Sequence, residues 1–486
     1  MAGRTTTAVV LLLLGAGCAV LFLALLLAGG DDDATSVATP ARSGRAVAPS
    51  PVANIQVGEE TDTALIQTAT TPVIASHPDN PDNLVMGYRI ERPAYSCAVQ
   101  VSFDAGRSWD PAKFDLPPAT ERCYTTSLGY DKDGAVHLAF VTLAGPGNVP
   151  SAAWLTKSTD GGRTFAPATQ VLDGEKFMVR LAVDRRTSPA TLHLTYVEAS
   201  GVGLLQMVPP SAVLVKTSTD GGATFGEPVR VSPTRRELVG APVPVVDKDG
   251  ALHVLYYDYR RDVFDFRNLE GSYGGTIELV VGTSTDGGAT FTESTVDSAI
   301  RPPEHFLVFT PPFPSMAADD RTGKLFVAWA DKRTGRSIAL LSTSDDGART
   351  WARPARVDDE AGEAYLPQVA VADSGRLDLV YASVGDGQGK PTEIRFTAST
   401  DGGRTFGPAR PLNEPFSREL LPRSPRRDAG PDFGSALGLA SRDSMALVAW
   451  PDTRRGGTDT FRVDIVAAPV ELTRGAPARR VQPASS

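Results

Sequence analysis

The octet STDGGRTF (158–165) returns as STDGGATF at 218 and 284 and again as STDGGRTF at 399. Two looser copies, SFDAGRSW (102–109) and SDDGARTW (344–351), extend the series. The six starts are 102, 158, 218, 284, 344 and 399, with gaps of 56, 60, 66, 60 and 55 residues. A motif that recurs at a near-fixed period of this size marks a repeat architecture. Each copy follows an apolar or alternating run (AVQVSF, AAWLTKS, AVLVKTS, IELVVGTS, IALLSTS, IRFTAS). A Pro-containing run such as FGEPVRVS or WARPARVD usually comes after it.

The residue types describe a tight strand-to-strand turn. Asp104, Asp160, Asp220, Asp286, Asp346 and Asp401 are placed to accept hydrogen bonds from backbone N–H groups ahead of them, as in Asx turns. Glycine supplies the positive φ that the reversal needs, and the closing Phe or Trp re-enters the apolar layer. A generic Asp-Gly hairpin accounts for one copy. It does not account for a Ser two residues before the Asp and an aromatic five after it, six times over.

These octets resemble the Asp-box, or BNR repeat, of the sialidase superfamily, S-x-D-x-G-x-T-W/F. Ala348 stands where Gly is usual. The resemblance implies an all-β fold, a β-propeller with the box between the third and fourth strands of each blade. It is specific for fold and weak for function, since enzymes and non-enzymes share the box.

The stretch ahead of each box repeats as well. APVPVVDKDGALHVLYYD, FPSMAADDRTGKLFVAWAD, LPQVAVADSGRLDLVYAS, TTSLGYDKDGAVHLAFVT and VRLAVDRRTSPATLHLTYVE each read as strand, turn, strand. TPVIASHPDNPDNLVMGYR and GSALGLASRDSMALVAWPD fit less tidily and complete the set, giving seven units. The last runs out after VDIVAAPV with neither box nor fourth strand, while ANIQVG (53–58) stands alone at the start and resembles fourth strands such as EPVRVS. A seven-bladed propeller over 53–472 is therefore expected, closed by ANIQVG; closure removes free sheet edges. A six-bladed ring with extra edge strands is the alternative. Antiparallel order puts the boxes and the one-two turns on a lower rim, and the two-three loops and inter-blade links on an upper rim. Asp-x-Asp-Gly at 131–134 and 247–250 reads as a plain hairpin turn, since no downstream acid completes a calcium loop.

Candidate ligand-binding residues belong to the upper rim. Three second strands end alike, with Asp258 and Arg260, Asp331 and Arg333, and Asp452 and Arg454 two residues apart and so on one face. Arginines converging on a central pocket clamp a carboxylate in bidentate fashion; alternatively each pair ties off its own blade, as repetition suggests. Arg180 stands near where later units carry Pro, and a charge there is placed to face the central channel. Arg89, Glu304, His305, Tyr365 and Asp432 are further candidates. No catalytic residue is assigned and no cofactor or metal is expected. The resemblance implies, for an active sialidase, three carboxylate-binding arginines, a Tyr nucleophile activated by Glu, and an Asp acid-base. No Arg-Ile-Pro start to a first strand is present, and Arg89-Ile90 is followed by Glu91 near the end of a second strand.

The chain has 486 residues and a net charge of −9, with 41% hydrophobic and 22% charged residues, ordinary for a folded globule and without the basic cluster of a nucleic-acid binder. Residues 8–28 form an uncharged apolar run of bilayer length after Arg4 and before Asp31-Asp32-Asp33. It exceeds a signal-peptide core of roughly 7–15 residues, so a retained transmembrane helix is expected. Residues 1–7 would then be cytoplasmic, and the propeller extracytoplasmic at the cell membrane. An Ala/Ser/Thr/Pro linker (29–52) follows, and 473–486 reads as a disordered tail. Cys97 and Cys123 are suited to one disulfide at the upper rim of neighbouring blades. Two readings compete: a membrane-tethered binding module or scaffold for a glycan, envelope polymer or protein, and a glycoside hydrolase of the exo-α-sialidase type.

Overall fold

The computed structural model describes residues 53–57, 66–92, 94–145, 149–199, 210–261, 275–303, 313–421, 434–456, 461–471 and 479–483. The apolar run 8–28, the linker, Glu304, His305 and Asp432 lie outside the described residues. Among those described, no helix is long and apolar enough to cross a membrane.

The described chain is all-β, built of antiparallel strands in seven successive groups. Group I comprises Ile66–Ser76, Leu84–Arg92, Ser96–Ser102 and Asp110–Pro111. Group II comprises Cys123–Tyr130, Val136–Ala144, Val149–Ser158 and Thr169–Asp173. Group III is Phe177–Asp184, Thr191–Ala199, Ser211–Ser218 and Val229–Arg230, and group IV is Val239–Val246, Leu252–Asp258, Ile277–Ser284 and Thr292–Ile300. Group V runs Ser315–Ala318, Leu325–Asp331, Ile338–Ser344 and Ala355–Arg356. Group VI runs Glu363–Val371, Leu377–Val384, Pro391–Ser399 and Arg410–Pro411. Group VII has Gly438–Ser441, Met445–Asp452 and Phe461–Glu471, and takes its fourth strand from the other end of the chain. Ile55–Val57 pairs antiparallel with it, Ile55 opposite Ala467 and Val57 opposite Ile465. Groups VII and I are also joined directly, through a short parallel pairing of Ile66 with Phe461 and Thr68 with Val463.

The first strand of each group touches that of the next, from I through VII and back to I. This closed cycle of four-stranded antiparallel sheets is consistent with a β-propeller. The apolar core lies between groups rather than within them. Separate clusters fill the spaces I–II, II–III, III–IV–V, V–VI, VI–VII and VII–I. A second strand, covered on both faces, is therefore buried along its length, as LHVLYYD and LFVAWAD are. Each of the seven also carries an aromatic at the same position: Tyr88, Phe140, Tyr196, Tyr256, Trp329, Tyr381 and Trp450, none more than 3% exposed.

The boxes repeat one hydrogen-bond set six times. In the first, Ser102 Oγ donates to Asp104 (2.8 Å) and accepts from Gly106 N (2.9 Å), while Asp104 accepts from Ser108 N (2.8 Å) and Ser108 Oγ (2.6 Å). The box beginning at Ser218 gives 2.7, 2.9, 2.9 and 2.5 Å for the corresponding bonds. Gly162, at φ +97°, lies so close to group I that a Cβ would fall 2.3 Å from Val85 Cγ2. The box thus docks on the preceding group. Where the chain has Ala348 the same bond to Ser344 Oγ forms (3.0 Å) at φ +65°, a conformation costing a non-glycine residue roughly 1–2 kcal/mol.

The one-two turns stitch the lower rim together. Ser188 donates to Asp133 (III to II), the Arg186 side chain covers Gly250 (III to IV), and that of Lys248 covers Gly323 (IV to V). Arg321 donates to the Ser374 carbonyl (V to VI), Ser374 N to Asp443 (VI to VII), and Arg442 to the Pro78 carbonyl (VII to I). His77 packs on Tyr130 at 5.2 Å to close the circuit from I to II. Within the Asp-x-Asp-Gly turns, Asp131 accepts from Ala135 N (2.8 Å) and meets buried His137 (2.8 Å), and Asp247 repeats this with Ala251 and His253.

Of the carboxy-terminal stretch 473–486, residues 479–483 are described. Arg479–Arg480 pairs with Thr405–Phe406, and Gln482–Pro483 with Ala355–Arg356. Backbone groups left open at a sheet edge accept any segment that brings its own.

The boxes give the protein a specific acid sensitivity. Hydrogen bonds from Thr224 Oγ1, then Thr224 N and Ser218 Oγ, hold the Asp220 carboxyl down at about 2, against roughly 3.9 in an unfolded chain. A depressed folded value contributes stability that is full above pH ~4 and is lost as pH falls toward 2. The Asp220→Asn protein is expected to show a shallower decline of denaturant midpoint between pH 4 and pH 2 than the parent; parallel declines would remove this role.

Candidate functional site

The upper ends of the first strands are irregular in a repeated way. Pairing with the second strand skips two residues at Thr71-Pro72, Met178-Val179, Ala241-Pro242 and Leu366-Pro367. The leading residues have φ of +54°, +54°, +54° and +51°. Each is a β-bulge, two residues opposite one, which bends the strand and re-aims its side chains. Proline is tolerated because the ladder there needs no N–H. Non-glycine residues in this region hold strain of order 1–3 kcal/mol each, and such strain gathers at ligand-binding positions.

Arg180 is the residue immediately after the bulge in group III, opposite Thr195. Its guanidinium lies 4.3 Å from the ring centre of Phe313, just ahead of group V, and donates to the Val179 carbonyl at 3.2 Å. Phe313 N in turn donates to the Ser435 carbonyl (3.3 Å), and Ser435 N to Thr71 Oγ1 (3.1 Å). Group III is therefore linked through Phe313 and Ser435, the entries to groups V and VII, to Thr71 of group I. Burial, with the like charge of Arg89 adding to it and Tyr124 opposing, lowers Arg180 to about 10, so it stays charged near neutrality.

Arg89 sits in the second strand of group I between Thr70 and Cys97. It pairs with Glu91 and donates to Thr70 Oγ1 at 3.3 Å. A disulfide joins Cys97 of group I to Cys123 of group II, with Cα atoms 5.4 Å apart. Tyr124 follows Cys123 directly. Burial raises its hydroxyl to about 12, with Arg89 and Arg180 opposing the shift. Arg89, Tyr124 and Arg180 thus feel one another across groups I to III.

A second cluster stands at the start of group VI. Tyr365 precedes the bulge and donates to Glu363 at 2.8 Å; the Arg418 guanidinium lies 4.7 Å from its ring centre. The sequence reading named Tyr365 without its partner. Glu two residues before Tyr at a strand start, in EAYLPQ, was the available signal.

The three Asp-Arg pairs close on themselves. Arg260 Nε meets Asp258 at 2.7 Å, Arg333 Nε meets Asp331 at 2.7 Å, and Arg454 Nε meets Asp452 at 3.0 Å. Each carboxylate is buried and also accepts the backbone N–H of its own arginine. Other neighbours complete the ties. Arg236 joins Asp258, Glu278 and Glu293, Arg333 reaches Asp297, and Trp450 Nε1 donates to Asp452 at 2.9 Å. This arrangement fastens the end of a second strand to the rim and leaves the arginine heads engaged locally. Among the described residues no group of His, Cys, Asp or Glu is arranged to hold a metal ion.

Residues 210–421 match the family described as a BNR repeat-like domain, which takes in four of the six boxes. No curated protein matches the chain. Among solved structures it is similar to a Dyadobacter fermentans protein of unknown function, at 13% identity and TM-score 0.47, covering 87% of this chain and 99% of that one. A Hadza microbial sialidase gives 20% identity and 0.42 over 65% and 63% of the two chains. An α-L-arabinofuranosidase from Fusarium graminearum, in complex with an iminosugar inhibitor, gives 13% and 0.45 over 72% and 98%.

Arg333 is the counter-ion of two buried carboxylates, Asp297 and Asp331. Removing one partner of a buried pair costs about 3 kcal/mol or more. Arg333→Ala should therefore lower the unfolding free energy by about that much in a denaturant titration. A loss below about 0.5 kcal/mol would place the pair with inert surface bridges.

Proposed function

We propose that the chain is a seven-bladed Asp-box propeller, held at a membrane by residues 8–28 with the propeller on the extracytoplasmic side, and that it works as a binding module for an anionic glycan or envelope polymer. The closed cycle of seven first strands supports the blade count. The observation that carries the binding role is Arg180, held over Phe313 where segments of several groups meet, with Arg89 close enough to depress its proton affinity. A guanidinium presents its donors in a fork that matches a carboxylate.

Binding of carboxylated oligosaccharides, such as uronate and sialate oligomers, to the detergent-solubilised full chain tests this by calorimetry. Arg180→Ala should weaken binding at least tenfold and flatten its salt dependence. Equal affinity in parent and variant would sink the reading. For the membrane part, the chain should sediment with membranes and lose that behaviour when 8–28 is deleted.

A second reading, glycoside hydrolysis, is favoured by the Tyr365–Glu363 couple, because a tyrosine hydroxyl bonded to a carboxylate is the arrangement of an activated nucleophile. Turnover of a fluorogenic sialoside or arabinofuranoside that disappears in Tyr365→Phe would establish it. No turnover with parent protein would leave the binding role standing alone.

A further inference from the structure

The carboxy-terminal segment pairs with the outer edges of groups V and VI. Glu471, the last residue of group VII's third strand, accepts a hydrogen bond from Arg410 at the outer edge of group VI (2.9 Å). Beyond it, Arg479–Arg480 runs antiparallel to Thr405–Phe406 of the group VI box, and Gln482–Pro483 antiparallel to Ala355–Arg356, the outer strand of group V. Between these two pairings, Val481 N donates to the Arg404 carbonyl (3.4 Å). The Val481 side chain packs into the V–VI core with Phe406, Val357 and Leu341. Five residues of chain fill a slot bounded by one group's edge strand and the next group's box.

The corresponding slot between groups I and II is also filled, by a different piece of chain. Lys113 N donates to the Arg163 carbonyl (2.8 Å), Phe165 N donates to the Lys113 carbonyl (3.0 Å), and Lys113 bridges Thr164 in parallel. Phe114 then seats edge-on against Phe140 and Phe165, at 5.0 and 6.2 Å. Thr164-Phe165 and Thr405-Phe406 are the same box positions. The slot therefore accepts an extended segment in either direction, through backbone bonds to the box and one apolar side chain in the cleft. That is strand addition with a side-chain pocket, the logic of edge-binding peptide domains.

We infer that the V–VI slot is a peptide-binding site, occupied in cis by the chain's own Arg-Arg-Val-Gln-Pro segment and able to take the same segment from a second copy of the chain. A tethered segment holds its site at an effective concentration on the order of millimolar, so added peptide competes only once the tether's own segment is unseated.

The test uses the full chain and a fluorescent peptide with the sequence of residues 473–486. Val481→Asp in the full chain introduces a charge into the apolar cleft and should release the cis segment. Gln482→Pro does so by removing a pairing N–H while leaving the core untouched, and decides the matter if the first variant fails to fold. Either variant should bind the peptide saturably, at least tenfold more tightly than the parent, and should reject a peptide carrying Val481→Asp. Neither variant binding better than the parent, or the control peptide binding equally well, would overturn the inference.

Discussion

Everything in this architecture rests on sheets that have no core of their own. Each group of strands is apolar on both faces and buries them only by lying between two others, so the six apolar clusters occupy the spaces between groups. The aromatic at the matching place of every second strand reports this sandwiching, since burying such a side chain is worth about 1.5–3 kcal/mol and needs cover on both sides. The boxes serve the same end. A glycine pressed against the neighbouring sheet and a carboxylate saturated by N–H and O–H donors make a turn that docks rather than hangs free. The lower-rim circuit of turn-to-turn contacts adds a polar girdle to the apolar adhesion.

The upper ends of the first strands are where this regularity is broken. Bulges with left-handed Thr, Met, Ala and Leu cannot be explained by packing alone, because glycine would adopt those angles at less cost. They bend the strand and re-aim the side chains that follow, Arg180 among them, while those residues stay paired with the second strand. Arg180 is fixed by a cation–π contact to a residue from a distant group, and Tyr124 is fixed by its place beside a disulfide. A site assembled this way is rigid because its supports come from several sheets at once.

Much of the fold was legible because its signals are local. Six Asp-boxes, the strand-turn-strand units before them and the lone ANIQVG all lie in short stretches, and the pairing of Ile55–Val57 with Phe461–Glu471 follows from counting strands. The column from Tyr88 to Trp450 was equally visible and would have secured the two untidy units, the first and the seventh, of which the seventh carries no box. The site was less legible. The Asp-Arg spacing is a strong pattern, yet its partners (Arg236, Asp297 and the indole of Trp450) come from other strands, and these decide that the pairs act as rim fastenings. Glu363 escaped notice because one carboxylate near one tyrosine carries little information until a strand aligns them. The pairing of Arg479–Arg480 and Gln482–Pro483 escaped because nothing in that short stretch points to the distant edges it meets.

The strand Ile55–Val57 also bears on how the molecule comes into being. It leaves the ribosome ahead of all the other described strands, and its partner around Ala467 emerges about four hundred residues later. Until then the newborn chain is an arc with one raw flank at each end, and loop closure over such a span is slow and aggregation-prone. Assembly is therefore a waiting problem. The earliest-made strand must stay solvated and unpaired through nearly the whole of synthesis, and the final clasp comes only after the seventh sheet has been made.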